Sequence, residues 1–402
     1  MTDPVTKKPT RRRKENKGRQ PTSRLTINGR IKLQRRWWHA SQDGSECPAD
    51  SLLGAAGPTP GVVEMACREN EHASSFAAAA ENLWRTAQIK MSDEQLRDLV
   101  EQAGKQVLTA QQAGQLPPAF QAEDCRTPQG QTQLYLGCDG VMVPVISEQE
   151  KQKRREKTLE KRRRSGKKRR PLPSRRPGAK HAWQEFKTVT FYNHDQSHRH
   201  LLLSRLTRPK VQRLVRREGE RIGFARAEER LALVDGASWL KEMLQDVQPV
   251  LQWDEWGLDF YHLSENVHKT RRSVFGDENA DGHAWADDLM HTFKHQGYET
   301  AWEKLCTWRA TLKSPKKKQA ADRLLRYVTE RAEMINYPKF LARGWDIGSG
   351  PTESRCKVAT RRLKAHGQRW DPANAEAIAA LTCLHHSGQW NIHWKTLAAA
   401  ST

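Results

Sequence analysis

The run Leu134-Tyr-Leu-Gly-Cys-Asp-Gly-Val-Met-Val-Pro-Val145 is strongly apolar, yet it carries a carboxylate, Asp139, in its middle. A short apolar run reads as a buried strand. A charge inside such a strand must be paired or bound to a metal. The chain therefore needs a sheet that delivers this acid to a site. Phe186–Tyr192 and Arg199–Ser204 read as the next two strands, joined by the polar turn Asn193–His198. The three together form an antiparallel meander. Lys210–Arg230 reads as a long basic helix. Arg230–Leu240 opens with a fourth apolar strand that ends in Asp235, breaks at Gly236, and passes into a helix near Ser238. An acid at the C-terminal end of a buried strand sits where α/β sheets place their sites. Gln248–Leu263 supplies a fifth strand, closing on Asp259 and His262.

Ser264–Phe340 reads as helical throughout, with Trp285, Leu289, Phe293, Trp302, Leu305 and Trp308 giving apolar faces at helical spacing. Ile347-Gly-Ser-Gly-Pro-Thr-Glu-Ser-Arg-Cys-Lys357 is then a glycine-rich turn that feeds a helix. Gly348 and Gly350 suit the turn, and Pro351 suits the first helical position. Glu353 falls in the first helical turn, where the dipole favours a carboxylate. Lys357 and Arg361 follow on the same face, with Arg362 and Lys364 close by. Read alone, the segment is a capped helix with a solvated basic face. Read with the upstream acids, it places one carboxylate at the head of a phosphate-binding face. Trp370 reads as core, and the Ala-rich helix Asn374–His385 completes the domain.

The flanking regions are basic. Formal net charge is +22 over 402 residues, and the pI is about 9.9. That balance points to a polyanionic partner, most simply nucleic acid. No run of about 18 apolar residues is present, which excludes a membrane helix. Met1-Thr-Asp-Pro-Val-Thr-Lys-Lys has no apolar segment to act as a signal peptide. Seven cysteines stand singly, without a Cys-x-x-Cys pair, as expected of reduced thiols in a cytosol.

Residues 1–24 read as a disordered basic tail, either solvated or tracking DNA. Leu25–Trp38 alternates around Asn28-Gly29 as a hairpin with a two-residue turn. Cys47 near His39 is an incomplete ligand set for zinc. Residues 61–107 read as three short helices. The third is headed by the capping box Ser92-Asp-Glu-Gln95, so the set is either a helix-turn-helix or a plain three-helix bundle. Residues 111–130 read as a linker. Glu148–Lys180, with Arg162-Arg-Arg164 and Lys167-Lys-Arg-Arg170, reads as a mobile basic loop that contacts phosphate or is simply solvated. Residues 388–402 read as a short tail.

Three strands, a helix, a strand, a helix and a strand, then a helix with the third acid, is the order of a ribonuclease H-like sheet. The expected fold class is α/β. It comprises a ribonuclease H-like mixed sheet (131–263 and 346–387), an all-α insertion (264–345), and a small N-terminal hairpin with a helical DNA-binding region. Converging carboxylates of this kind can hold two Mg2+ ions, which take oxygen ligands and keep waters.

On these segments the sequence resembles a bacterial insertion-sequence transposase of the DDE class, and most of all its Kra subgroup. The resemblance runs over nearly the whole chain. It rests on the Asn-Gly hairpin, Cys138-Asp-Gly140, Val234-Asp-Gly236, Asp259-Phe-Tyr-His262, Gly348-Ser-Gly-Pro-Thr-Glu-Ser354, and Arg361-Arg-Leu-Lys-Ala-His-Gly367 with Trp370. It implies that Asp139, Asp235 and Glu353 are the catalytic and metal-binding triad, for Mg2+ with Mn2+ as a substitute. It also implies supporting roles for Asp259 and His262, where related families carry a Cys/Asp-x-x-His motif. His262 reads equally as a packed strand-end histidine. Lys357, Arg361, Arg362, Lys364, Arg169 and Arg170 would contact DNA. The implied partner is double-stranded DNA, as element ends and target, bound by a homodimer or higher oligomer in the bacterial cytoplasm at the nucleoid. The alternative is a DNA-binding relic or regulator that keeps the fold without the chemistry. A nuclease that cuts without joining is a third reading.

Overall fold

The computed structural model describes residues 14–40, 44–53, 57–166 and 170–399. The chain divides into two units, Met1–Ala103 with Trp390–Thr402, and Gly104–Gln389.

The first unit opens with β1 (Glu15–Thr26) and β2 (Gly29–Ala40), followed by the short β3 (Gly44–Glu46) in one antiparallel sheet. The hairpin runs further back than its apolar alternation predicts. Glu15 pairs with His39, so residues 15–24, expected as disordered tail, are strand. Ladder hydrogen bonds satisfy the backbone of this polar segment where side-chain burial does not. The turn is Ile27-Asn28, with Gly29 taking the positive φ of 94°. Next come α1 (Pro48–Leu53), α2 (Pro60–His72), α3 (Phe76–Ala87) and α4 (Asp93–Gln112), which starts in this unit. The expected capping box is present: Gln95 N donates to Ser92 Oγ and Ser92 N to Gln95 Oε1, both at 3.1 Å.

The second unit is a mixed α/β structure. Its strands are β4 (Gln133–Pro144), β5 (Trp183–Tyr192), β6 (Arg199–Ser204), β7 (Glu229–Val234) and β8 (Glu255–Leu258). They form one five-stranded sheet in the order β6-β5-β4-β7-β8. The first three are antiparallel neighbours, and β7 and β8 join parallel to β4. Between β4 and β5 lies α5 (Glu148–Arg164). Then α6 (Arg208–Ile222) links β6 to β7, and α7 (Ser238–Leu251) links β7 to β8. Past β8 the chain is helical: α8 (Phe260–Phe275), α9 (Ala280–Gln296), α10 (Tyr298–Thr311), α11 (Pro315–Thr329) and α12 (Tyr337–Ala342). The unit closes with α13 (Gly350–Arg361) and α14 (Pro372–His386), and α15 (Trp390–Ala399) belongs to the first unit. One apolar core joins the sheet to the helical block, from Leu134 and Leu231 through Leu263 to Phe293 and Leu324. Among the described residues no helix is long and apolar enough to cross a membrane.

Four further expectations need correction. The basic block 148–180 is not a loop at its start but the helix α5, with no buried residue. Its residues are straight-chain helix formers, Ser147 Oγ caps Glu150 N at 3.2 Å, and Glu150–Arg154 and Glu160–Arg164 pair at i,i+4. Of the expected strand 248–263, residues 248–251 belong to α7, because Leu240, Met243, Leu244, Val247 and Leu251 bury one helical face, and 260–263, His262 included, belong to α8, which Asp259 caps. The supposed linker 111–130 holds Phe120, Ala122 and Cys125 in the core. The supposed tail is the helix α15, whose Trp390 donates to Glu64 at 2.9 Å and stacks under Arg68.

Candidate functional site

Parallel pairing of β4 with β7 puts Cys138 opposite Val234, so Asp139, within β4, and Asp235, directly past the end of β7, each follow a paired residue. Both are half-buried. Asp139 Oδ1 accepts from Gly140 N at 2.6 Å, and its Oδ2 accepts from Cys356 Sγ at 3.2 Å. Burial pushes the Cys356 thiol up, and Asp139 adds to that, so the sulfur keeps its proton and donates. Asp235 Oδ1 accepts from Ala237 N at 2.8 Å. Burial holds the Asp235 carboxyl above its ordinary value of 3.8, and the charge of Asp139 raises it further. The Ala237 amide, His262 and Arg331 offset part of that rise.

Gly236 turns the chain at φ +75°, and a Cβ there would lie 2.7 Å from both Arg331 Nε and Leu258 Cδ1. Arg331 uses this approach: Nε and Nη2 donate to Gly236 O at 3.0 and 2.8 Å.

The third acid reaches the sheet along β4. Asp346 N donates to Tyr135 OH at 3.2 Å, Thr352 lies against Gly137, and Cys356 meets Asp139. A Cβ on Gly137 would come within 1.8 Å of Thr352 Oγ1, so only glycine lets α13 lie this close. Glu353 and Cys356 are three residues apart on one helical face. Lys357 Nζ stands 3.4 Å from Glu353 Oε2.

Asp259 and His262 complete the group. One ligand atom each from Asp259, His262 and Glu353 lie within 4.8 Å of one another, a cluster of which Asp139 and Asp235 are not members. Asp259 is fully buried. Its Oδ1 caps α8 by accepting from Tyr261 N at 2.6 Å, and its Oδ2 accepts from Ser349 N at 2.8 Å and from Ser349 Oγ. His262 Nδ1 faces Glu265 at 3.5 Å.

The donor set separates ligands from supports. Asp259 has its oxygens occupied and no solvent access, which fits an anchor for the Ser349 turn. Among the described residues nothing donates to Asp235 Oδ2 or Glu353 Oε1, so these carboxylates keep open oxygens of the kind a Mg2+ ion takes. Asp235 and Glu353 thus have oxygens open to an ion, while both oxygens of Asp139 already accept, from Gly140 N and Cys356 Sγ.

Lys357, Arg361 and Lys364 are exposed along and just past α13, and Arg170 is exposed beyond α5. Arg169 lies outside the described residues. Arg362 corrects the expectation of a DNA contact: it is 3% exposed, with its guanidinium 5.0 Å over Trp370. Burial pulls its pKa down to about 10. Trp370 is core, as expected. Gly137, Ser349, Cys356 and Arg331 were not singled out in the sequence. A lone glycine inside an apolar strand is a signal of close approach and could have flagged Gly137. Arg331 carries no local signal.

No protein-family model matches this chain, and no curated protein matches it.

Proposed function

We propose that this protein is a DDE-class DNA transposase with a ribonuclease H-like catalytic unit. One observation carries the reading: Asp139 in β4 and Asp235 directly past the end of the neighbouring parallel strand β7 follow a paired position, and the helix bearing Glu353 is pinned across β4 through Cys356. The sheet order supports it, since three antiparallel strands followed by two parallel ones added on the β4 side is the ribonuclease H arrangement. So does the helical block between the second acid and the third.

Divalent ions bound at the triad would lower the pKa of an attacking water and neutralise the leaving oxygen. The chain's own groups do the rest. Asp139 and Asp235 supply fixed carboxylates, oriented by the amides of Gly140 and Ala237. Glu353 would bring a third from the first turn of α13. Lys357, Arg361 and Lys364 offer positive charge to the flanking phosphates. In the first step, the water oxygen bonds to phosphorus and gives a proton to solvent, and the P–O3′ bond breaks, the leaving O3′ taking a proton from solvent to become a 3′-OH. In the second, that 3′ oxygen bonds to the phosphorus of a target phosphodiester and gives its proton to solvent, while the target's own 3′ oxygen leaves and takes a proton from solvent. His262 lies close to Glu353 and would help orient it. The three helices α2 to α4 would read the element ends, and the active form would be a dimer or larger on DNA.

The test is strand transfer with Mg2+ on DNA carrying the element's own ends. Asp235→Asn should abolish cleavage and joining while end binding persists. Joining undiminished in that variant would sink the assignment.

A further inference from the structure

A groove of about 320 Å³ runs between α8 and α11. On α8 it starts with Asn266, one turn past His262, whose carbonyl accepts from Asn266 Nδ2 at 2.9 Å. It continues past Lys269 and Thr270. On the other wall stand Arg323 and Arg326, and the groove ends at Arg331, which holds Gly236 O beside Asp235. Both walls therefore lead back to the candidate site.

Lys269, Arg323 and Arg326 are exposed, and among the described residues none makes an ion pair or side-chain hydrogen bond. Neighbouring cations differ: Arg309 is paired with Asp322 at 2.8 Å, and Lys304 with Asp288. The acid of the groove, Glu330, is taken up by Arg331 at 3.3 Å. Three like charges left without partners in one concavity repel each other until an anion enters. The floor gives no apolar face to a membrane, since Leu324 is buried.

We infer that this groove binds the phosphates of a single nucleic-acid strand as it leaves the acid cluster, with Lys269, Arg323 and Arg326 as the contacts. The inference rests on the proposed DNA chemistry and adds the path of the strand.

The experiment compares the full chain with the triple variant Lys269→Gln/Arg323→Gln/Arg326→Gln. Fluorescence anisotropy of a labelled duplex with a single-stranded 3′ extension is followed over a salt series. Each single-strand phosphate contact adds about 0.7 to the slope of log K against log salt, so the variant's slope should fall by about 2. Affinity at low salt should drop roughly tenfold or more. An equal-charge control, Lys210→Gln/Arg213→Gln/Arg216→Gln on exposed positions of α6, should lose clearly less. Melting curves of both variants should match the parent. A triple variant with parental affinity and slope, in a protein that cuts DNA with Mg2+, overturns the groove and leaves the enzyme standing. An equal loss in the control also overturns the groove, as does competition by polyglutamate equal to that by an oligonucleotide of the same charge. Groove-dependent binding without any cleavage overturns the enzyme instead. A chain that neither binds nor cuts DNA overturns both.

Discussion

Cys356 Sγ donates to Asp139 Oδ2 at 3.2 Å, one helical turn beyond Glu353. A thiol held protonated by burial thereby ties the helix of the third acid to the strand of the first. Cys356→Ser keeps a donor and should keep most cleavage. Cys356→Val keeps the bulk but removes the donor, and should lower the cleavage rate roughly 10-fold, as supports of a metal ligand do. Equal rates for the two variants in single-turnover cleavage would show that the contact plays no part.

Ser349 spends its hydroxyl on Asp259 and makes no cap to its own helix α13. Ser349→Ala leaves a fully buried carboxylate one donor short. The expected loss is about 1.5–3 kcal/mol of stability, read by urea unfolding. Cleavage should fall with it, because the same bond fixes the turn ahead of Glu353. A variant as stable as the parent would place the energy of this latch elsewhere, in the Ser349 amide.

Gly137→Ala should push α13 off the sheet, since its Cβ would meet Thr352 Oγ1 at 1.8 Å. Overpacking of this kind costs about 1–3 kcal/mol. The double variant Gly137→Ala/Thr352→Ala should recover part of that loss. Strictly additive effects in the double-mutant cycle would argue that the two residues do not oppose each other.

Asp235 is an acid held above its ordinary 3.8, chiefly by burial. A raised acid costs stability as pH climbs through the unfolded value, and the cost is complete above the folded value. Asp235→Asn should therefore melt higher than the parent at neutral pH without metal, by about 2–4 °C per kcal/mol recovered. The gap should close below about pH 3.8, where both side chains are neutral. A variant that melts lower at pH 7 would show that the charge is not strained in the free protein.

Glu218 has the opposite sign. Burial works to raise it, but His200 at 3.4 Å, Arg217 at 2.7 Å and Arg221 at 3.2 Å outweigh burial and hold it below its ordinary 4.5. Its contribution is full above the unfolded value and is lost as pH falls through the depressed folded value. Glu218→Gln should destabilise at pH 7 and flatten the acid limb of the stability curve below about 4.5. An acid limb of unchanged slope would assign that loss to other carboxylates.

The strands β4 to β7 were legible because apolar runs bounded by polar turns have few other readings; β6 spans Arg199–Ser204 as expected. The capping box at Ser92 was legible because its geometry is local. The helix α5 was missed because charge density says nothing about backbone conformation, whereas i,i+4 pairs do. The return of α15 to the N-terminal unit was missed because its Trp390 contact partner, Glu64, is remote in sequence.

The amino-acid order by itself determined the acids, their strands and the helix head of Glu353, since period and turn chemistry act over a few residues. Tertiary structure decided which groups meet. Which donors reach the buried Asp259, whether Arg362 packs on Trp370, and which cations of α8 and α11 are left without partners all depend on contacts between residues far apart in the chain. Such contacts are set by packing and desolvation, which no local window of sequence contains.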